Sequence, residues 1–105
     1  MATVVAMRFS VLDRGAAGTL DGIAEHAQHV ERLGFHRFFL AEHHGVPGIP
    51  AGQPGMLAAH VAARTQRIRV GTAGIMLLNP PPFLVAEQIN LLEALYPGRI
   101  DIGLG

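Results

Sequence analysis

Cysteine and lysine are both missing from this chain, and charge of either sign is scarce. Without cysteine there can be no disulfide, no thiolate zinc site and no thiol nucleophile, and the absence fits a reducing compartment. Charged residues make up only 15% of the 105 residues, against about a quarter in ordinary soluble domains. Eight acids balance eight arginines. The two signs are interspersed, so no basic stripe exists of the kind that attracts phosphate backbones, and nothing points to nucleic acid as a partner. Long apolar runs are missing too. No stretch approaches the roughly 18 residues of a membrane span, and Met1 to Met7 lacks the charged start and apolar run of a signal peptide. The expected setting is cytoplasmic, without a membrane partner. The exclusive use of arginine, with much Ala, Gly and Pro, reads as genomic base composition and carries no functional weight.

What is abundant is hydrophobicity, at half of all residues. A self-contained domain this small has much surface for its volume and needs charge to cover it. The deficit therefore suggests that other protein covers some of its faces.

The apolar residues fall into alternating patterns. Val4 to Leu12 is a short run rich in β-formers that ends at Asp13-Arg14-Gly15, so a buried strand is expected there. Leu20, Ile23, Ala24, Ala27, Val30 and Leu33 then recur at helical spacing, with Thr19 as the expected N-cap and Gly34 as the left-handed stop. Phe35 to Leu40 is the second strand. Glu42 to Gly55, with four Gly and three Pro, must be mainly loop. Pro54 can open a second helix reaching about Thr65, with Leu57, Ala58, Val61 and Ala62 as its stripe. Ile68 to Thr72 is the third strand. Val85, Ala86, Ile89, Leu92 and Leu95 form a third helical stripe that stops at Pro97-Gly98, and Ile100, Ile102 and Leu104 begin a fourth strand.

Strand and helix thus alternate three times before a last strand, within one domain spanning 1–105. This is the order of right-handed parallel βαβ units, so the fold class is α/β. Two architectures satisfy it: an open doubly wound sheet and the first half of a closed barrel. In both, chemistry belongs at the C-terminal ends of the strands, which here means just after Leu12, Leu40, Thr72 and Leu104.

After the second strand stands Ala41-Glu42-His43-His44-Gly45, three titratable side chains opening a Gly/Pro loop. If the strand persists through them, His43 and His44 point to opposite sides and cannot easily share a metal, so no metal site is expected. They can hydrogen-bond the loop into place, or one of them can act as an acid, a base or a ring contact. His26 and His29 lie off the first helical stripe, where a solvated face is expected, while His36 and His60 read as structural. Gly71-Thr72-Ala73-Gly74 ends the third strand in small residues, which suits either a flat ligand or another backbone coming close.

Four segments in order then resemble consecutive motifs of the bacterial luciferase-like monooxygenases: Arg37-Phe38-Phe39-Leu40-Ala41-Glu42-His43-His44, Ala62 to Gly71, Val85-Ala86-Glu87-Gln88 and Pro97 to Gly103. The resemblance implies the N-terminal part of a (β/α)₈ barrel, three βα units and the fourth strand, incomplete in this chain because such barrels run to about 250 residues. It implies an enzyme using reduced FMN, supplied by a flavin reductase, and O₂ to oxidise a small organic substrate such as an aldehyde. A homodimer or heterodimer is implied for the full-length form.

By position, His43 falls on the family's active-site His beside the flavin, and Glu42, His43, Ala73 and Gly74 on its cofactor-binding positions. The Ala73-Gly74 peptide falls where family structures commonly have a cis bond. Two departures stand out. Asn79 is followed by Pro80-Pro81-Pro82 where the family often has a His, and the family's flavin-phosphate Arg falls just past Gly105, so these residues alone are expected to be inactive. Two other readings stay open. One is a deazaflavin-dependent oxidoreductase of the same barrel family, although Ser10 to Asp13 and Leu95 to Arg99 look more like the FMN branch. The other is a non-catalytic module, truncated or completed by a partner.

Overall fold

Successive strands must be joined by a crossover if they are to run parallel, and the chain supplies a helix for each of the three connections. The computed structural model describes residues 6–14, 20–49 and 51–105. Its order is β1 (Ser10–Asp13), α1 (Leu20–Arg32), β2 (Arg37–Leu40), α2 (Pro54–Ala62), β3 (Arg69–Ile75), α3 (Pro82–Leu95) and β4 (Ile100–Leu104). The sheet is wholly parallel in the order β1-β2-β3-β4. A doubly wound sheet would reverse its strand order at a switch point. There is none here, and the chain folds as successive βα units of a barrel.

The two faces of the sheet confirm this. Phe38, Leu40 and Val70 point to the helices and are fully buried with Ile23, Ala27 and Val30 of α1, Ala58, Val61 and Ala62 of α2, and Ile68. Each of the Val, Leu, Ile and Phe side chains among them contributes about 1.5–3 kcal/mol by leaving water. The opposite face carries Leu12, Arg37, Phe39, Arg69 and Asp101, all half-buried or exposed, as expected of an inner barrel face. Asp101 binds two arginines there, one on each of the preceding strands. Its Oδ2 accepts from Arg37 Nε at 2.8 Å and Arg69 Nε at 2.6 Å, and its Oδ1 from Arg69 at 2.9 Å.

Several boundaries differ from the periodic reading. Val4, Val5 and the expected cap Thr19 lie outside the described residues. The first strand begins only at Ser10, because its ladder is limited by the four residues of β2, from Ser10 against Arg37 to Asp13 against Leu40. Helix α2 stops at Ala62, short of Thr65, because residues 62–68 are bound by side chains from elsewhere. Glu31 of α1 accepts the backbone N–H groups of Gln66, Arg67 and Ile68 at 2.7–2.9 Å. Arg99 donates to the carbonyls of Ala62, Thr65 and Ile68 and to the Thr65 hydroxyl. The apolar stripe of α3 is only partly used. Val85 and Leu92 are buried, whereas Ala86 and Leu95 are exposed, since the described residues offer that helix a single supporting side. At the end of α1, Gly34 takes the left-handed conformation with φ 85°.

The Arg69 hydrogen bond is the first reason that the Asp101 carboxyl titrates low, at about 2; burial opposes it and Arg37 assists. A folded-state pKa below the unfolded one adds stability that is complete above the usual carboxylate range and is lost as pH falls toward about 2. The partners remain about a third exposed, so screening reduces the nominal gain to about 1 kcal/mol. In the protein's longest natural form, Asp101→Asn is expected to unfold in urea about 1 kcal/mol more easily at pH 7, with the gap to wild type closing on acidification. A gap that is unchanged at pH 3 would contradict this account.

Candidate functional site

The C-terminal strand ends gather where β2 and β3 lie in register, Leu40 against Thr72. The residues that follow each strand therefore emerge side by side. Beyond Leu40 the strand does not persist, so Ala41 to His44 is loop and the alternation expected for His43 and His44 does not apply. The His43 N–H donates to the Ala51 carbonyl at 2.9 Å, which folds the Gly/Pro loop back on its own start.

Glu42 is buried and fully engaged. Its Oε2 accepts the Met76 N–H at 2.7 Å, and its Oε1 accepts from Asn79 Nδ2 at 3.0 Å and from His44 Nε2 at 2.6 Å. Burial by itself would raise the pKa of this carboxyl. The Met76 N–H and then the His44 and Asn79 side chains outweigh it, and the net shift is downward. Glu42 is thus an ionised acceptor, which requires a proton on His44 Nε2. The 3.3 Å approach of Asn79 Nδ2 to that nitrogen then sets donor beside donor and is proximity rather than a hydrogen bond.

His43 is placed differently. Its ring Nε2 is buried and has no hydrogen-bond partner among the described residues. Such a nitrogen is a group awaiting a partner.

At the end of β3 the Ala73-Gly74 peptide is cis. Ala73 is exposed and Gly74 half-buried. The glycines nearby answer to β4 first: a Cβ on Gly71 would lie 1.7 Å from the Asp101 carbonyl oxygen, and one on Gly74 would lie 3.0 Å from that of Gly103. Close backbone approach therefore explains the glycines, and Ala73 is left as the open surface.

A cavity of about 320 Å³ opens beside this cluster, lined by Glu42, His44, Gln53, Asn79, Leu84 and Gln88 among others. Neither His43 nor Ala73 lines it. A larger cavity of about 560 Å³ lies at the opposite, N-terminal end of the strands, against Glu31, His36 and Arg67, away from where parallel α/β folds place chemistry. Among the described residues no group of three or more His, Cys, Asp or Glu is arranged to hold a metal ion.

Sequence reasoning passed over two participants. His26, expected on a solvated face, bonds Asp13 at 2.8 Å and meets the Phe38 ring edge-on at 5.4 Å. Asn79 stood out only as the neighbour of three prolines, yet it is a direct partner of Glu42. Neither pairing leaves a trace in local spacing, because both join elements distant in the chain.

The sequence profile of the luciferase-like monooxygenases matches residues 1–105. The chain belongs to that family. It is 42% identical over 106 aligned positions to N-acetyl-S-alkylcysteine monooxygenase of Bacillus subtilis, covering 94% of this chain and 32% of that one. The matched part spans between 21% and 32% of the length of the curated relatives it matches. The crystal structure of apo-MsnO8 superposes with a TM-score of 0.89 at 38% identity, covering 95% of this chain and 32% of the other. Two more distant proteins share the fold. One is the oxygenating constituent of 3,6-diketocamphane monooxygenase from Pseudomonas putida in complex with FMN (TM-score 0.83, 23% identity, 95% of this chain and 29% of that one). The other is the coenzyme F420-dependent tetrahydromethanopterin reductase of Methanopyrus kandleri (TM-score 0.76, 20% identity, 98% and 27%). Among the described residues of this family member, no helix is long and apolar enough to cross a membrane.

The glycine geometry can be checked directly. Gly71→Ala is expected to cost about 3 kcal/mol or more, because the added methyl meets backbone that cannot move without unpairing β3 from β4. Ala73→Ser, on an exposed position, should stay within about 0.5 kcal/mol of wild type. Equal thermal stability of the two variants would refute this reading.

Proposed function

We propose that this chain forms part of the active site of a flavin-dependent monooxygenase that uses reduced FMN and O₂ to oxidise a small organic substrate, aldehyde-like in class. The observation that carries the reading is His43: its ring Nε2 is buried without a hydrogen-bond partner among the described residues, as in His36 and His60, but of the three only His43 follows the C-terminal end of a strand, beside the small-residue end of β3. A flat ring resting on Ala73 and Gly74 suits that combination. When bound, reduced FMN supplies the two electrons that send one oxygen atom to the substrate and the other to water.

The chain's own residues bind, orient and exclude water. His43 would offer its ring nitrogen to the flavin side as a hydrogen-bonding partner or acid/base, and Ala73 and Gly74 would present backbone to the ring face. His44 is held by Glu42 and is assigned a structural role. FMN is preferred over a deazaflavin because Ser10 to Asp13 and Leu95 to Arg99 resemble the FMN branch and because the relative at 42% identity is a monooxygenase by name. The shared fold of the F420-dependent reductase favours the deazaflavin as the second reading. A flavin reductase supplying FMN, and a dimer, complete the proposal for the full-length form.

Replacing His43 by Ala in the longest natural form should slow substrate oxidation by about 10² to 10⁴, the range of a positioned acid or base. His44→Ala should cost much less. The reverse ranking would move the role to His44.

Residues 1–105 by themselves are expected neither to bind FMN tightly nor to turn over. Leu12, at 52% exposed, and Leu104, at 57%, lie on strands at the two edges of the sheet, and parallel sheets are ordinarily covered on both faces. At zero net charge self-association should follow. Titrating the isolated 105-residue chain with reduced FMN while following its size by light scattering decides the point. A soluble monomer that binds flavin at micromolar concentration would refute it.

A further inference from the structure

Glu42 adjoins His43 in the chain and is hydrogen-bonded to the segment that follows β3, and its chemistry differs from that of the two halves of the proposed flavin site. His43 has a free buried nitrogen and Ala73 an open face, whereas both oxygens of Glu42 are taken by groups of this chain. Three donors converge on the carboxylate from two loops: His44 from its own, and the Met76 N–H and Asn79 amide from the loop that follows β3. All three are donors, so a group that must both give and take a proton has no partner arrangement here. Met76 is the first residue after β3 and two past Gly74, while His43 is the immediate neighbour of Glu42.

We propose that Glu42 is a positioning residue, which ties the exit of β3 to the loop after β2 and so fixes the separation of the Ala73-Gly74 surface and His43, without touching the flavin or moving a proton itself. This rests on the flavin reading for its purpose, but the tie stands on the hydrogen bonds alone. Its strength comes from ionisation, since hydrogen bonds to a charged acceptor are about twice as strong as neutral ones. Asn79 gives the three prolines after it a second meaning: it is the last residue able to reach back to Glu42 before the chain stiffens toward α3.

Glu42→Gln keeps the length of the side chain but turns one acceptor into a donor, which must then face the Met76 N–H or the Asn79 amide. The test has two arms, both on the longest natural form of the protein. Without flavin, the Met76 amide and Asn79 side-chain NMR signals of wild type should titrate together with one midpoint below the usual glutamate range, and Glu42→Gln should abolish that titration. With FMN, Glu42→Gln should weaken binding by less than about tenfold, because no direct charge-assisted contact is lost, while changing the visible circular dichroism of the bound flavin.

Independent titration of Met76 and Asn79 would overturn the proposal. So would a loss of FMN affinity well beyond tenfold with both signals unmoved, the mark of a direct ligand, or an unchanged flavin spectrum. If Glu42→Gln fails to fold, Asn79→Ala serves in its place: it removes one donor, and the Met76 midpoint should then rise. A wild-type protein that binds no FMN would count against the flavin reading, and the flavin-free titration would still decide the tie.

Discussion

Six backbone groups between Ala62 and Ile68 are met by just two side chains, and the register of the whole sheet follows from them. Glu31 takes three consecutive N–H groups, and Arg99 gives to three carbonyls of the same segment. Burial opposes ionisation of Glu31, but the three N–H groups prevail and its pKa lies below the usual range. The segment is thus gripped by an anion from α1 and a cation from the start of β4. With it fixed, Arg69 must be the first residue of β3, opposite Arg37 on β2. A slip of one residue would turn Val70 out of the core and Arg69 into it.

The two ends of the sheet use charge in different ways. At the N-terminal end, Asp101 with Arg37 and Arg69, Glu31 with the turn, and Arg99 with its carbonyls leave few charged groups without partners, and each contact crosses between elements. This end is cross-linked by charge, although the Nε2 of His36 there is buried without a hydrogen-bond partner among the described residues. At the C-terminal end one carboxylate, Glu42, takes up the local donors, and His43 keeps an unspent nitrogen.

Much of this was legible in the sequence. The alternation of strands and helices, Gly34 as a stop, and Glu42-His43-His44 at a strand end all rest on local spacing, and local spacing survives folding. The ends of β1, α2 and β3 do not depend on local spacing. Helix α2 stops where Arg99, 37 residues further on, competes for its last carbonyl, and β1 is only as long as β2 allows. His26 shows the same limit from another side. Its place beside the apolar stripe suggests solvent, but the end of β1 brings Asp13 to it. Nor could spacing choose between a barrel and an open sheet, since both begin with the same βα units. The motif resemblance favoured the barrel, and the unswitched strand order with one bare face decides it.

That bare face also shows where a ligand has room. Arg69, Gly71 and Ala73 alternate along one side of β3, where Arg69 pairs with Arg37 on β2 and Gly71 pairs with Phe39 on β2 and Asp101 on β4. The lower part of the face is therefore taken up by Arg37 and Arg69, which both reach to Asp101 at the level of Gly71. Above them Gly71 has no side chain, and Ala73 has only a methyl. Along β3 the side chains on this face shrink toward the C-terminal end, while Phe39 of β2 and Leu12 of β1 keep apolar bulk at the level of Gly71. A closed barrel built on such strands would have its freest space over Gly71 and Ala73 of β3. The small residues of β3 thus do two things at once: they let β4 come close, and they leave open space on the inner face of the strand.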